Sequence, residues 1–388
     1  MSIKRGIITE RKSSAARAIS VKSTLPVALV LTSDVQAGVY GFDSPADAME
    51  SEAFALHTEG NLMKYLSVGA NKFNVIVPTI ISIANIGVDE AETKTNVINA
   101  TNALKSVAGA VNLASSNESA IGFKPDILGV ADYASDDADV RDALIASCEA
   151  IKARTFVDLN AQTNGEAVTE RDTIGSERVT LAKCSLGSWN TETSQTDMYD
   201  SGIVLCWLRA AVDGESKIGY SRSISNRLLP FSSVAYPSEF YPGAIDTTDP
   251  LTEKQIMSFI SYKGLRTWEY STCSADAMWQ DARRVRIIDL ASEAVIDGIF
   301  YAVDKDLAAL TSAKKTLKAF MSSLVGDEVM VGFDVYLDIA RTTPERIDAG
   351  EFYFVIEHQE SPVPKLICVT FDRVNKFADV VYKIIEEA

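Results

Sequence analysis

The chain has 388 residues, 47% of them hydrophobic and 23% charged, with a formal charge of −16. That length suits two or three domains with their own cores, and the acidic balance argues against wrapping nucleic acid, which needs a basic surface. Five cysteines, widely spaced and without a C-x-x-C pair, suggest reduced, buried thiols rather than a zinc site or a disulfide framework. The basic start is followed by no apolar h-region of a signal peptide. The longest apolar run, Val75–Val88, is broken by Pro78 and Asn85 and is too short to span a bilayer.

Residues 1–22 form a basic arm, with Lys4, Arg5, Arg11, Lys12, Arg17 and Lys22 against Glu10 alone. On an acidic body such an arm is drawn to that body or to a neighbouring copy. A buried-type strand is predicted from Leu25 to Thr32. Ser44 followed by Pro45 reads as a helix cap and first turn, with 48–54 as the helix body. A second helix is predicted over 60–66, with Leu62, Tyr65 and Leu66 on one face, and a β-branched strand over 73–81. Val97, Ala100, Leu104, Val107 and Val111 place a helix over 90–114. Strand 125–132, helix 139–153 and strand 155–159 then follow, an order that predicts a parallel pair with a crossover.

Residues 160–197 are polar and turn-rich, with one alternating strand near 179–183. A compact apolar helix is predicted over 201–212, stopping at Asp213-Gly214. Residues 219–249 carry three prolines and read as irregular, so a domain boundary is placed near 250. Beyond it come a helix from Ala282 to Phe300, a helix over 304–324, strands over 329–339 and 351–357, and a strand over 366–374. Residues 377–385 fit two patterns: Val380, Tyr382 and Ile384 alternate as in a strand, while Phe377, Val381, Ile384 and Ile385 fit a helix.

The search for catalytic chemistry finds little. His57 and His358 stand in no metal-ligand or triad-like context, and no Walker, Rossmann or nucleophile-elbow motif occurs. Asp132 and Asp158 are the best enzymatic candidates. Both fall at the C-terminal ends of predicted parallel strands, where two carboxylates could hold Mg²⁺ or act as acid and base; capping of helices or turns is the simpler role. The densest group of directional side chains is Tyr262–Leu290. It holds Trp268 and Trp279 together with Arg266, Arg283, Arg284 and Arg286, Arg283 and Arg286 sharing one helix face. Arginines beside aromatic anchors are typical of protein interfaces, and core packing is the alternative for the tryptophans.

From Ser201 onwards the chain resembles the contractile tail sheath proteins of temperate myophages and R-type pyocins. Gly264-Leu-Arg-Thr-Trp268 with Thr272-Cys-Ser274 is similar to that family's G-x-R-x-W-G-x-R-T-x-S region. Residues 201–213 with Ser223-Ile-Ser-Asn226 are similar to its helix and S-x-S-N turn. Residues 301–305, 349–353 and 361–364 follow its C-terminal domain in order and spacing. Glu269 departs from the pattern, standing where the family often has glycine, and Tyr270-Ser271 replace its usual polar-arginine step.

The resemblance implies an α/β (α+β) fold: an N-terminal α/β region over 23–249, its outer part about 90–249 with a partly parallel sheet, and an inner α+β domain over 250–365. Residues 1–22 and 366–388 would be terminal arms exchanged between subunits as added strands. It implies a structural subunit that polymerises around a tail tube in a virion tail assembled in the host cytoplasm. That subunit would contract without a nucleotide or other cofactor to drive the tube through the target envelope. The implied partners are further copies of the chain and the tube, baseplate and tail terminator proteins, with no direct contact to nucleic acid or membrane. Candidate interface residues are Lys4, Arg5, Arg11, Lys12, Arg17, Arg266, Arg283, Arg286, Leu366, Cys368, Val380, Tyr382 and Ile384; Trp268 and Trp279 would anchor the inner domain. Lys314, Lys315 and Lys318 are candidates for the tube-facing side. A metal-dependent α/β hydrolase using Asp132 and Asp158 is the alternative.

Overall fold

The computed structural model describes residues 19–22, 25–105, 111–112, 120–121, 124–374 and 378–386. The first part of the chain forms β1 (Val27–Ser33), β2 (Gly38–Phe42), α1 (Pro45–Met49), α2 (Leu62–Ser67), β3 (Thr79–Asn85), α3 (Glu90–Ala103), β4 (Val111–Asn112) and β5 (Ala120–Ile121). The middle forms β6 (Ile127–Val130), α4 (Tyr133–Asp136), α5 (Ala138–Ile151), β7 (Arg154–Asp158), α6 (Asn164–Arg171) and β8 (Val179–Ala182). Next come β9 (Leu186–Asn190), β10 (Gln195–Tyr199), α7 (Ser201–Gly214), β11 (Ser233–Val234), α8 (Asp249–Glu253), β12 (Ile256–Ser261) and β13 (Leu265–Trp268). The last part forms α9 (Ala282–Ile299), α10 (Leu307–Gly326), β14 (Met330–Leu337), α11 (Pro344–Asp348), β15 (Phe354–Glu360) and α12 (Ala378–Glu386).

An eight-stranded sheet with the order β13-β12-β8-β7-β6-β1-β3-β2 organises the body. Its inner six strands are parallel, and β2 and β13 close the two ends as antiparallel edges. Every residue of β1 is buried, the signature of a strand covered on both faces. One face packs on α1, α2 and α7; the other packs on α3 and α5. The predicted parallel pair is β6 and β7, joined by α5, whose Val140, Leu144, Cys148 and Ile151 are buried.

α7 is buried along nearly its whole length. Gly129 of β6 lets it lie close on the sheet, since a Cβ there would come within 2.7 Å of the Ile203 Cδ1. Trp207 at its centre is fully buried and donates its indole N–H to the Tyr65 carbonyl at 2.9 Å. Gly69 faces the Trp207 ring, where a Cβ would approach to 2.7 Å. Both contacts demand the missing side chain.

The C-terminal unit has its own apolar core. Leu290, Ala291 and Ala294 of α9 meet Leu317, Phe320 and Leu324 of α10 and Met330 and Val335 of the β14–β15 hairpin. Leu307, at the start of α10, is exposed. Two strands from beyond residue 250, β12 and β13, complete the large sheet, so the sheet runs past the point where the sequence suggested a boundary.

Other differences from the sequence reading have local causes. Ser44 caps α1 as expected and Pro45 opens it, but the helix ends at Met49 and Phe54 lies in a separate 3-10 turn. α2 runs on as a π-turn over Val68–Lys72, which delays β3 to Thr79. The helix expected over 90–114 stops at Ala103, and part of the remainder lies outside the described residues. The polar stretch 160–197 folds into α6, β8, β9 and most of β10. Residues 366–374 form no strand, since no strand pairs with them among the described residues, and residues 378–386 are helical.

Candidate functional site

The two carboxylates singled out for catalysis lie at the C-terminal edge of the parallel strands and meet a third, Asp200. Asp158 is buried and accepts hydrogen bonds from the Asn160 N–H at 2.8 Å, the Ser185 hydroxyl at 2.6 Å and the Ser201 N–H at 3.0 Å. Asp200 caps α7 by accepting from the Gly202 N–H at 2.7 Å and also accepts the Asp132 N–H at 2.8 Å. Asp132 adopts a left-handed backbone, φ 65°, and accepts from the Asn61 amide at 2.9 Å and from the Tyr65 hydroxyl.

Burial pushes Asp158 upward, and burial followed by repulsion from Asp158 and Asp132 pushes Asp200 well upward. Asp158 and Asp200 are thus committed to helix and loop N–H groups, the capping role that acids at strand ends often fill, whereas Asp132 is held by the Asn61 amide and the Tyr65 hydroxyl. Among the described residues no group of His, Cys, Asp and Glu could hold a metal ion.

The Tyr262–Leu290 stretch resolves into a polar layer between the sheet and the C-terminal unit. Asp281 caps α9, accepting the Arg283 N–H at 2.9 Å. The helix then presents Arg286, Asp289 and Glu293 at one face. Arg286 is 2% exposed and pairs with Asp213 at the end of α7, which also holds Arg209 at 2.8 Å. Asp289 pairs with Arg178 and stands 3.7 Å from Arg154; Glu293 holds Lys124 and, at 3.1 Å, Lys22. Asp126 lies in the same layer, buried, and makes no ion pair among the described residues. Burial raises its carboxyl from 3.8 to about 6, against the pull of Arg286, Lys124 and Lys22.

The interface candidates divide accordingly. Arg286 finds its partner inside this chain. Arg283 is also buried, and its guanidinium donates to the Ser361 carbonyl. Arg266 is half-buried on β13 and donates to the carbonyls of Tyr262 at 2.9 Å and Asn226 at 3.0 Å. Trp268 is half-buried against Phe240, ring centroids 4.9 Å apart, and Trp279 is half-buried in a 3-10 turn. The fully buried tryptophan is Trp207, whose anchoring role the sequence reading did not assign. Lys4, Arg5, Arg11, Lys12, Arg17 and the Tyr382 side chain lie outside the described residues.

Among the described residues the C-terminal segment is fastened to the body at its root. Arg284 pairs with Glu360 at 3.4 Å, and Ser361 is held by Arg283, by the Val329 carbonyl at 3.0 Å and by the Glu328 carbonyl at 2.6 Å. Lys365 reaches Glu269 at 3.1 Å. From Leu366 to Val374 no hydrogen bond or ion pair to the rest of the chain occurs among the described residues. Leu366 is 86% exposed and Phe371 94%, and Ile367, Cys368 and Val369 are exposed as well. Val380 and Ile384 of α12 are exposed too. A contiguous apolar strip of this kind marks a surface that another molecule covers.

No family model matches the chain. A putative prophage major tail sheath protein of Pseudomonas aeruginosa (strain UCBPP-PA14) is 26% identical over 289 residues, 72% of this chain and 74% of that protein. The tail sheath protein of Escherichia phage P2 is 25% identical over 362 residues, 90% of each chain. Among solved structures, the helical sheath of the anti-feeding prophage (AFP) in its contracted state superposes with a TM-score of 0.69. That match covers 96% of this chain and 100% of the other at 15% identity. The fold is therefore that of a contractile sheath. Within that class the chain is a homologue of phage and prophage tail sheath proteins, a structural family, and the hydrolase alternative on Asp132 and Asp158 has no support.

Proposed function

We propose that this chain polymerises around a tail tube as the subunit of a contractile sheath, and that its contraction drives the tube through a target envelope. The observation that carries this reading is the exposed apolar strip over 366–374, which has no hydrogen-bond or ion-pair partner among the described residues. The β14–β15 hairpin is a sheet of two strands, and a two-stranded sheet has open edges on both sides. Strand addition by a neighbour's segment would satisfy those edges and bury the strip together. In this scheme residues 1–22 and 366–388 are the exchanged arms, residues 250–365, which include the α9–α10–hairpin unit, are the inner domain, and residues 23–249 form the N-terminal region, with its outer part at about 90–249.

Lys314, Lys315 and Lys318 on α10 make no ion pair among the described residues and are candidates to face an acidic tube. Baseplate and terminator proteins would bound the polymer at its ends, and assembly would take place in the host cytoplasm. Contraction then needs no nucleotide: the extended sheath is held behind a kinetic barrier, and new contacts between subunits supply the free energy. Negative-stain microscopy of the purified chain, alone and with its tube protein, tests this. Tubes of stacked rings or helical strands are expected; a chain that stays monomeric under both conditions contradicts the reading.

A further inference from the structure

We propose that Glu269 is a clamp that fixes where the C-terminal segment leaves the body. This rests on the reading of residues 366–388 as an exchanged arm. Glu269 follows β13 directly and has a φ of 79°, a left-handed conformation that residues with a Cβ rarely adopt. Such backbone persists only where the surroundings hold it, and an outlier of this kind is a reason to look for function.

Here the surroundings are specific. The Glu269 N–H donates to the Ser225 hydroxyl at 3.1 Å, and its carboxylate accepts from the Ser271 hydroxyl and from the Lys365 ammonium at 3.1 Å. The residue is 8% exposed, whereas the Lys365 side chain is 67% exposed. A buried, pre-oriented carboxylate therefore holds a cation that has no other partner among the described residues.

The position of Lys365 makes this contact informative. Arg283 and the Glu328 and Val329 carbonyls hold Ser361 on the C-terminal unit. Pro362 and Pro364 stiffen the short link that follows. Lys365 then ties the chain to the edge of the large sheet, and beyond it no further tie occurs among the described residues. Glu269 thus sets the last fixed point and Leu366 begins the free segment. A glycine at 269 would relax the backbone but could not hold Lys365, so this chain has a left-handed residue with a side chain where the tie requires one.

Trypsin reads the clamp directly, because it must take the lysine side chain into its own pocket. The bonds after Lys365 and Arg373 lie on the same exposed segment, and only the first has a clamped side chain. In the unassembled full-length protein, cleavage after Lys365 is expected to be slower than after Arg373. E269G should speed cleavage after Lys365 about fivefold, the worth of an ion pair of roughly 1 kcal/mol, and leave Arg373 unchanged. E269Q keeps the side chain and removes its charge, and it should act in the same direction if the glycine variant does not fold. An unchanged ratio of the two cleavage rates in the folded variants overturns the proposal. Tube formation by the wild type tests the sheath reading separately, so failure of one is distinguishable from failure of the other.

Discussion

The large sheet and the C-terminal unit solve the burial problem in opposite ways. β1 is buried at every position between two layers of helices, whereas β14 shows mainly exposed and half-buried residues along its length. The sheet has eight strands, with β2 and β13 as its antiparallel edge strands. The C-terminal unit keeps a small core of its own, but its hairpin has two strands and its following segment is exposed and apolar. Between the two lies a charged layer, beside which Leu25 and Tyr220 of the body join the core of the C-terminal unit. The difference is between a large body whose sheet is covered on both faces and a smaller C-terminal unit that leaves an apolar segment exposed, the segment that the proposed function gives to a neighbouring copy.

The largest effect is expected in the finished half. Trp207→Ala would open a cavity between α7 and α2 and strand the Tyr65 carbonyl, at a cost of about 3–5 kcal/mol. Chemical denaturation should show this as a lower midpoint; a loss under 1 kcal/mol would mean the body is less tightly packed than its burial implies. Arg286→Ala comes next. It leaves Asp213 facing Arg209 alone in a buried site, and breaking a buried pair from one side costs about 3–5 kcal/mol at the upper end. If the two regions unfold together, one transition should shift; a separate early transition of the C-terminal unit would show that the charged layer is its main attachment.

A smaller effect, with a defined pH signature, belongs to Asp126. Its folded pKa of about 6 lies above the ordinary 3.8. Between those values the folded chain keeps a proton that the unfolded chain has lost, so its contribution to stability falls as pH rises through that window and is flat above it. Asp126→Asn should therefore match the wild type near pH 4 and exceed it above pH 6, by an amount on the order of 1.4 kcal/mol per pKa unit. Thermal unfolding at several pH values measures the gap. A gap that does not change with pH would mean that the Asp126 carboxylate is paired after all.

Much of the sheet region was legible because its signals are local. The apolar run of β1, the Ser44–Pro45 start of α1 and the buried stripe of α5 each depend on a few adjacent residues. α9 and α10 followed from the same periodicity. What was not legible depends on distant partners. Nothing near Trp207 says that its indole will meet a carbonyl 142 positions earlier, and nothing near Arg286 names Asp213 as its partner. Asp132 and Asp158 were found from their place at the strand ends, but their commitment to Tyr65, Ser185 and the α7 N-terminus appears only in three dimensions. β12 and β13 joined the large sheet for the same reason, through pairing with β8. Residues 366–374 have the composition of the predicted strand but no neighbour to pair with among the described residues, and 377–385, which fits two patterns, is helical over 378–386.

The central claim is that the C-terminal segment serves assembly and not the fold. Deletion of residues 366–388 tests it most directly, by thermal unfolding and negative-stain microscopy on the same preparation. The account predicts a melting temperature unchanged from the full-length chain and the absence of long tubes. A truncated protein that polymerises normally, or one that no longer folds, would contradict it.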